Sequence, residues 1–162
     1  MTTLVLEDEA ATIALAQALA ATQPRSAAVY LHGDLGAGKS TLARAWLRAL
    51  GVTGTIRSPT YTLVERYPLA GGGEAMHLDL YRVGDAGELE FLGLDEPETV
   101  LWLVEWPERG RGGLPAADLH VRLDVSGSGR EARLESASPA GDAWLAALAP
   151  SGRLRPIPEP NP

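Results

Sequence analysis

The sequence contains no cysteine. Disulfides and thiolate metal sites are excluded, and a reducing compartment suits the chain. Lysine is almost missing too: thirteen arginines stand against one lysine, Lys39. Excess positive charge is absent, with a formal net charge of -7. An acidic chain makes a poor stand-alone nucleic-acid binder, because phosphate neutralisation supplies most of that affinity. No apolar run approaches the roughly 18 residues of a membrane span. The start, MTTLVLEDEA, has no basic segment and turns acidic at Glu7, unlike a secretion signal. The expectation is a cytoplasmic chain that meets no membrane. The three histidines, His32, His77 and His120, are far apart in sequence and fit no zinc spacing. Each reads as structural or solvated.

A length of 162 residues fits one domain. Residues 9–21 carry Ile13, Leu15, Ala16 and Leu19 at helical spacings behind Asp8, a natural N-cap. Residues 27–31 (AAVYL) read as a buried strand that runs into a glycine-rich segment. Residues 41–50 read as a helix stopped by Gly51. Strands are predicted at 62–69 and 75–81 around Gly71-Gly72-Gly73, and a short helix at 85–92. Residues 100–105 (VLWLVE) form a second buried strand, followed by a Gly/Arg-rich loop over 108–115. A hairpin is predicted from 119–125 and 131–135, and a terminal helix at 142–148. With GDLGAGKS at 33–40 matching G-x-x-x-x-G-K-[ST], the fold class is α/β: a single-domain P-loop NTPase with a central, mostly parallel or mixed sheet, flanking helices and β-hairpins. The domain covers residues 1–149. The Pro-rich tail, 150–162, is expected to be disordered.

The glycine-rich segment reads GDLGAGKS from Gly33 to Ser40 and satisfies G-x-x-x-x-G-K-[ST]. Glycines let the backbone curl so that its N–H groups face phosphate oxygens. The helix that follows adds partial positive charge at its N-terminus. Gly33, Asp34, Leu35, Gly36, Ala37, Gly38 and Thr41 complete the cradle. Lys39 is the residue for the β- and γ-phosphates, and its compact ammonium cannot be copied by the planar guanidinium used everywhere else. Ser40 offers a hydroxyl to Mg²⁺.

A phosphate loop also needs a carboxylate near the metal. Asp79, in Met76-His77-Leu78-Asp79, and Glu105, at the end of VLWLVE, both stand at predicted strand ends. Thr60, in Ser58-Pro59-Thr60, lies where a hydroxyl could act as a switch, or merely in a Pro-started turn. With Lys39 the sole lysine, the guanine-reading motif N-K-x-D is absent, so ATP is favoured over GTP. The ABC signature LSGG is absent as well.

The segments LHGDLGAGKST (31–41), SPTYTLVERY (58–67), HLDLYR (77–82), GELEFLGL (87–94) and LVEWPERG (103–110) together resemble the TsaE (YjeE) family, with a weaker match at GREARL (129–134). The resemblance covers most of the chain. It implies a P-loop ATPase needed to form threonylcarbamoyladenosine beside the anticodon of tRNA, working with a TsaB–TsaD heterodimer in which TsaD is the transferase; the acidic net charge adds the expectation that tRNA is met only through that partner. It further implies roles for Lys39 and Ser40 at phosphate and Mg²⁺, for Thr60 as a switch, and for Asp79 and Glu105 as the acidic pair with Trp106 beside it. Glu108, Arg109, Gly110, Arg111, Gly112 and Arg130 match a region near the nucleotide.

Two other function classes stay open at this point. One is a small-molecule kinase, with Arg109 and Arg111 in a short lid. The other is a nucleotide-sensing module in which turnover does not matter.

Overall fold

The computed structural model describes residues 1–95, 98–149 and 155–156. Its strands are β1 (Thr2–Leu6), β2 (Ala27–His32), β3 (Val64–Pro68), β4 (Glu74–Asp79), β5 (Thr99–Glu105), β6 (Leu119–Ser126), β7 (Gly129–Ser136) and the two-residue β8 (Arg155–Pro156). They form one mixed sheet in the order β3-β4-β5-β2-β6-β7-β1-β8. The centre, β4-β5-β2-β6, is parallel, and the other pairings are antiparallel. The runs AAVYLH of β2 and TVLWLVE of β5 are almost continuously apolar because sheet layers at the centre are covered on both sides.

Three helices, α1 (Glu9–Thr22), α2 (Lys39–Ala49) and α3 (Pro139–Leu148), supply the main core. Leu15 and Leu19 of α1, Leu42 and Trp46 of α2, and Trp144 of α3 share it with Val29, Leu31, Leu101, Leu103 and Val121 of the strands. Trp46 and Trp144 meet edge to face at 5.7 Å, an arrangement their ring quadrupoles favour. Both indole N–H groups are satisfied, by Gln23 Oε1 at 2.8 Å and by Leu19 O at 3.2 Å. Asp8 caps α1 by accepting from Ala11 N at 2.9 Å, as its sequence position predicts.

A second cluster joins Met76 and Leu78 of β4 and Val104 of β5 to Leu80, Val83 and Leu89 beyond the end of β4. A 3-10 helix over Ala86–Leu92 contributes Leu89 to it. Gly110, in a second 3-10 helix over Pro107–Gly110, packs close by: a Cβ there would meet Leu80 at 2.6 Å. The 85–92 helix is therefore a 3-10 helix, and the expected loop from 108 begins with helical turns.

The sequence reading misses β1 altogether. It is five residues long and finds its partner in β7, with Leu4 opposite Ala132. The Pro-rich tail lies outside the described residues apart from β8, which pairs with β1. No helix among the described residues is long and apolar enough to cross a membrane.

Candidate functional site

Parallel strands put like ends at one edge of a sheet, and ligands of α/β folds sit beyond the carboxyl ends. Here β4 ends at Asp79, β5 at Glu105 and β2 at His32. Asp79 and Glu105 are register partners, and Glu105 is in turn the register partner of Leu31. The two carboxylates foreseen from sequence are thereby brought beside the start of the glycine-rich loop.

That loop is shaped by three glycines at positive φ: Gly33 at 140°, Gly36 at 83° and Gly38 at 110°. Gly33 has no room for a side chain, since a Cβ would lie 2.4 Å from Leu123 O. Lys39, the first residue of α2, is only 5 % exposed. Its Nζ donates to Gly33 O and sits 4.1 Å from the centroid of the Trp106 ring. Burial lowers the pKa of the Lys39 ammonium, while Glu105, Asp79, Glu108 and Asp34 act to raise it. The net direction is down, so burial outweighs the four carboxylates.

Trp106 adopts a positive φ of 57°, a conformation rare for a side chain of this size. Its ring lies under Lys39 and 5.1 Å from Tyr81. A cavity of about 380 Å³ is lined by Gly33, Asp34, Lys39, Trp106 and Glu108 together with His32 and Arg122. Ser40, next to Lys39 on α2, is exposed. The segment carrying Thr60 is tied to the acidic edge, because Asp79 N donates to Leu63 O at 3.0 Å. Thr60 Oγ1 itself lies 2.7 Å from Ser58 Oγ.

A match to the family described as "Threonylcarbamoyl adenosine biosynthesis protein TsaE" spans residues 6–133. The chain belongs to the TsaE family. Among TsaE relatives, the tRNA threonylcarbamoyladenosine biosynthesis protein of Haemophilus influenzae is 48% identical over 108 residues, 65% of this chain and 68% of that one. The Aquifex aeolicus protein of the same name is 42% identical over 110 residues, 67% of this chain and 78% of that one. The crystal structure of Bacillus subtilis YdiB superposes with a TM-score of 0.76 at 26% identity, covering 92% of this chain and 96% of that one. The fold here is thus the TsaE fold, a nucleotide-binding architecture of threonylcarbamoyladenosine biosynthesis.

Not every residue suggested by the TsaE resemblance joins the Lys39 cavity. Arg109 stacks on Tyr81 at 5.4 Å, and Gly110 is a packing residue of the second core cluster. Arg111 and Gly112 line a different cavity with Gly87, Trp102 and Leu114. Arg130 reaches the loop from β7, but its guanidinium serves the backbone: Nε donates to Ala37 O at 3.0 Å and Nη2 to Gly36 O at 3.1 Å. Engaging those two carbonyls fixes the loop backbone between Gly36 and Lys39. Arg130→Ala is expected to weaken ATP binding about tenfold, or about 1.4 kcal/mol. Arg130→Lys should restore little of it, since one ammonium cannot copy a planar fork that bridges two carbonyls. Calorimetry showing ATP affinity unchanged in the alanine variant would remove the clamp from the account.

The histidines are not scattered once folded. β2 and β6 are parallel neighbours, and His32 Nε2 lies 2.9 Å from His120 Nδ1. Spacing in sequence gave no sign of this, because the pair forms across strands. Burial, then His120 and Arg122, lower the His32 pKa from its usual 6.5. A lowered folded pKa means the unfolded chain binds the proton first. Stability from this group is complete above pH 6.5 and declines as pH falls through the lowered value. Urea unfolding at stepped pH should show that decline reduced in His32→Gln. An identical acid slope in both proteins would refute it.

Proposed function

We propose that the chain is a Mg²⁺-dependent ATPase that serves formation of the threonylcarbamoyl group on tRNA adenosine next to the anticodon. It acts in the cytoplasm with a TsaB–TsaD heterodimer, which holds the tRNA. The observation that carries this reading is the buried Lys39 ammonium, seated at the mouth of the Gly33 to Ser40 loop and faced by Glu105 and Asp79.

The donors suit the metal. Ser40, Asp79 and Glu105 offer hard oxygens, and among the described residues no group of three or more acidic or histidine side chains could cage an ion alone. Mg²⁺ is commonly held by one or two carboxylates plus substrate phosphates and water. When bound, it neutralises charge on the β- and γ-phosphate oxygens. The protein's own tasks follow. Loop N–H groups from Gly33 to Thr41 and the Lys39 ammonium orient the phosphates. Glu105 orients the attacking water, Asp79 supports the metal, and Thr60 reports the γ-phosphate to the segment before β3. Arg109 on Tyr81 and Arg111 in a separate cavity do not assemble a kinase lid, so hydrolysis is favoured over transfer to a small acceptor.

The deciding experiment is ATP turnover with and without purified TsaB–TsaD. Turnover alone should be slow, since phosphoryl transfer needs charge neutralisation that a partner can complete. The heterodimer should raise it at least about tenfold, or about 1.4 kcal/mol of barrier. Equal turnover in both arms would refute the coupling. With a net charge of -7, the isolated chain should bind tRNA weakly at physiological salt. Tight binding by this protein alone would refute the partner-held tRNA.

A further inference from the structure

His77 stands two residues before Asp79 on the same face of β4, and its register partner on β5 is Leu103, two residues before Glu105. It is 3 % exposed, in a run where every neighbour from Ala75 to Leu80 is buried. An apolar side chain would satisfy packing there without the cost of burying a polar ring. The imidazole nevertheless has one polar partner: its Nε2 lies 2.6 Å from Glu105 Oε2. Its Nδ1 is buried with no hydrogen-bond partner. This ring leaves one unsatisfied and commits the other to a single carboxylate.

We infer that His77 is a positioning residue that fixes the Glu105 carboxylate for its task at the nucleotide. The inference rests on the ATPase reading, in which Glu105 orients water beside the metal. Nε2–H donates to Oε2, which stops the carboxylate rotating about its last bond. That leaves Oε1 as the oxygen for metal or water. The hydrogen bond spans two parallel strands, so the placement of Glu105 is set by the sheet and not by a loop. Outer partners of this kind typically matter about 10- to 100-fold in metal affinity or activity.

The test compares His77→Leu, which removes the donor, with His77→Gln, whose amide N–H can take the Nε2 position. In the leucine variant, turnover and Mn²⁺ affinity in the presence of ATP should fall about 10- to 100-fold. Metal-free ATP binding should stay near native, because Lys39 and the loop are untouched. The glutamine variant should regain most of the loss. A folded leucine variant with native turnover and Mn²⁺ affinity overturns the inference, and so does a glutamine variant as poor as leucine. A second readout needs no His77 variant and no nucleotide. Imidazole NMR of the apo protein should show a protected His77 Hε2 resonance that shifts upfield in Glu105→Gln, where the charge on the acceptor is gone. A resonance indifferent to that change overturns the inference. If Glu105→Gln keeps full turnover, the ATPase role of Glu105 fails. If that variant is impaired and His77→Leu is not, the positioning role alone fails.

Discussion

Lys39→Arg is expected to lose ATP binding by at least about 100-fold, or about 2.8 kcal/mol. A guanidinium carries as much charge as an ammonium, so the loss must come from shape. Lys39 Nζ sits against Gly33 O on one side and the Trp106 ring on another. The residue is almost wholly buried. Gly33 cannot retreat, because it already lies against Leu123 O. Trp106 is held at a positive φ and stacked against Tyr81. A broad planar fork in this slot would push the loop or the indole aside, and its donors would not converge on one phosphate edge. Arginine serves at all thirteen other basic positions, so a general preference for lysine does not explain Lys39. Calorimetry on a variant with a native circular dichroism spectrum decides the matter. Near-native affinity would sink the assignment of Lys39 to the phosphates.

Glu105→Gln should separate binding from chemistry. Turnover is expected to fall at least about tenfold, about 1.4 kcal/mol of barrier, while ATP affinity survives. The reasoning starts from burial. Glu105 is almost inaccessible, stands in register with Asp79, and accepts from His77. The amide keeps the volume, and its oxygen can still accept from Nε2–H, so packing is preserved. Only the charge on the proposed Mg²⁺ side, and its pull on Lys39, is lost. Single-turnover measurements should therefore show a slow chemical step with unchanged nucleotide uptake. Native turnover would move the role to Asp79 or to neither carboxylate.

Strand, loop and helix at residues 27–50 are legible from sequence because they are local. A buried apolar run, three glycines and an amphipathic stretch follow one another without interruption, and each sets its own conformation through φ preference and periodicity. The hairpins β3-β4 and β6-β7 are legible for the same reason, since turn residues lie between alternating runs. The missed strand β1 is not local: its Leu4 faces Ala132, so nothing nearby in the chain announces the pairing. A faint signal was present in Leu4 and Leu6 at period two.

By itself the sequence determined the family and the residue types on offer. It carries one lysine in a phosphate-loop frame, two acidic residues at the ends of apolar runs, no cysteine and no guanine-reading motif. Those are statements about residue type and short spacing, which need no fold. Only the tertiary structure decided which groups meet. Strand order made Asp79 and Glu105 register partners and placed Lys39 among four carboxylates. It set Arg130 against the carbonyls of Gly36 and Ala37, put Arg111 at another cavity, and paired His32 with His120. It also set His77 against Glu105. The physical reason is that adjacent strands sit about 4.8 Å apart whatever their separation along the chain. Contacts across a sheet depend on strand order and register, and those are fixed by burying both faces of the whole sheet at once.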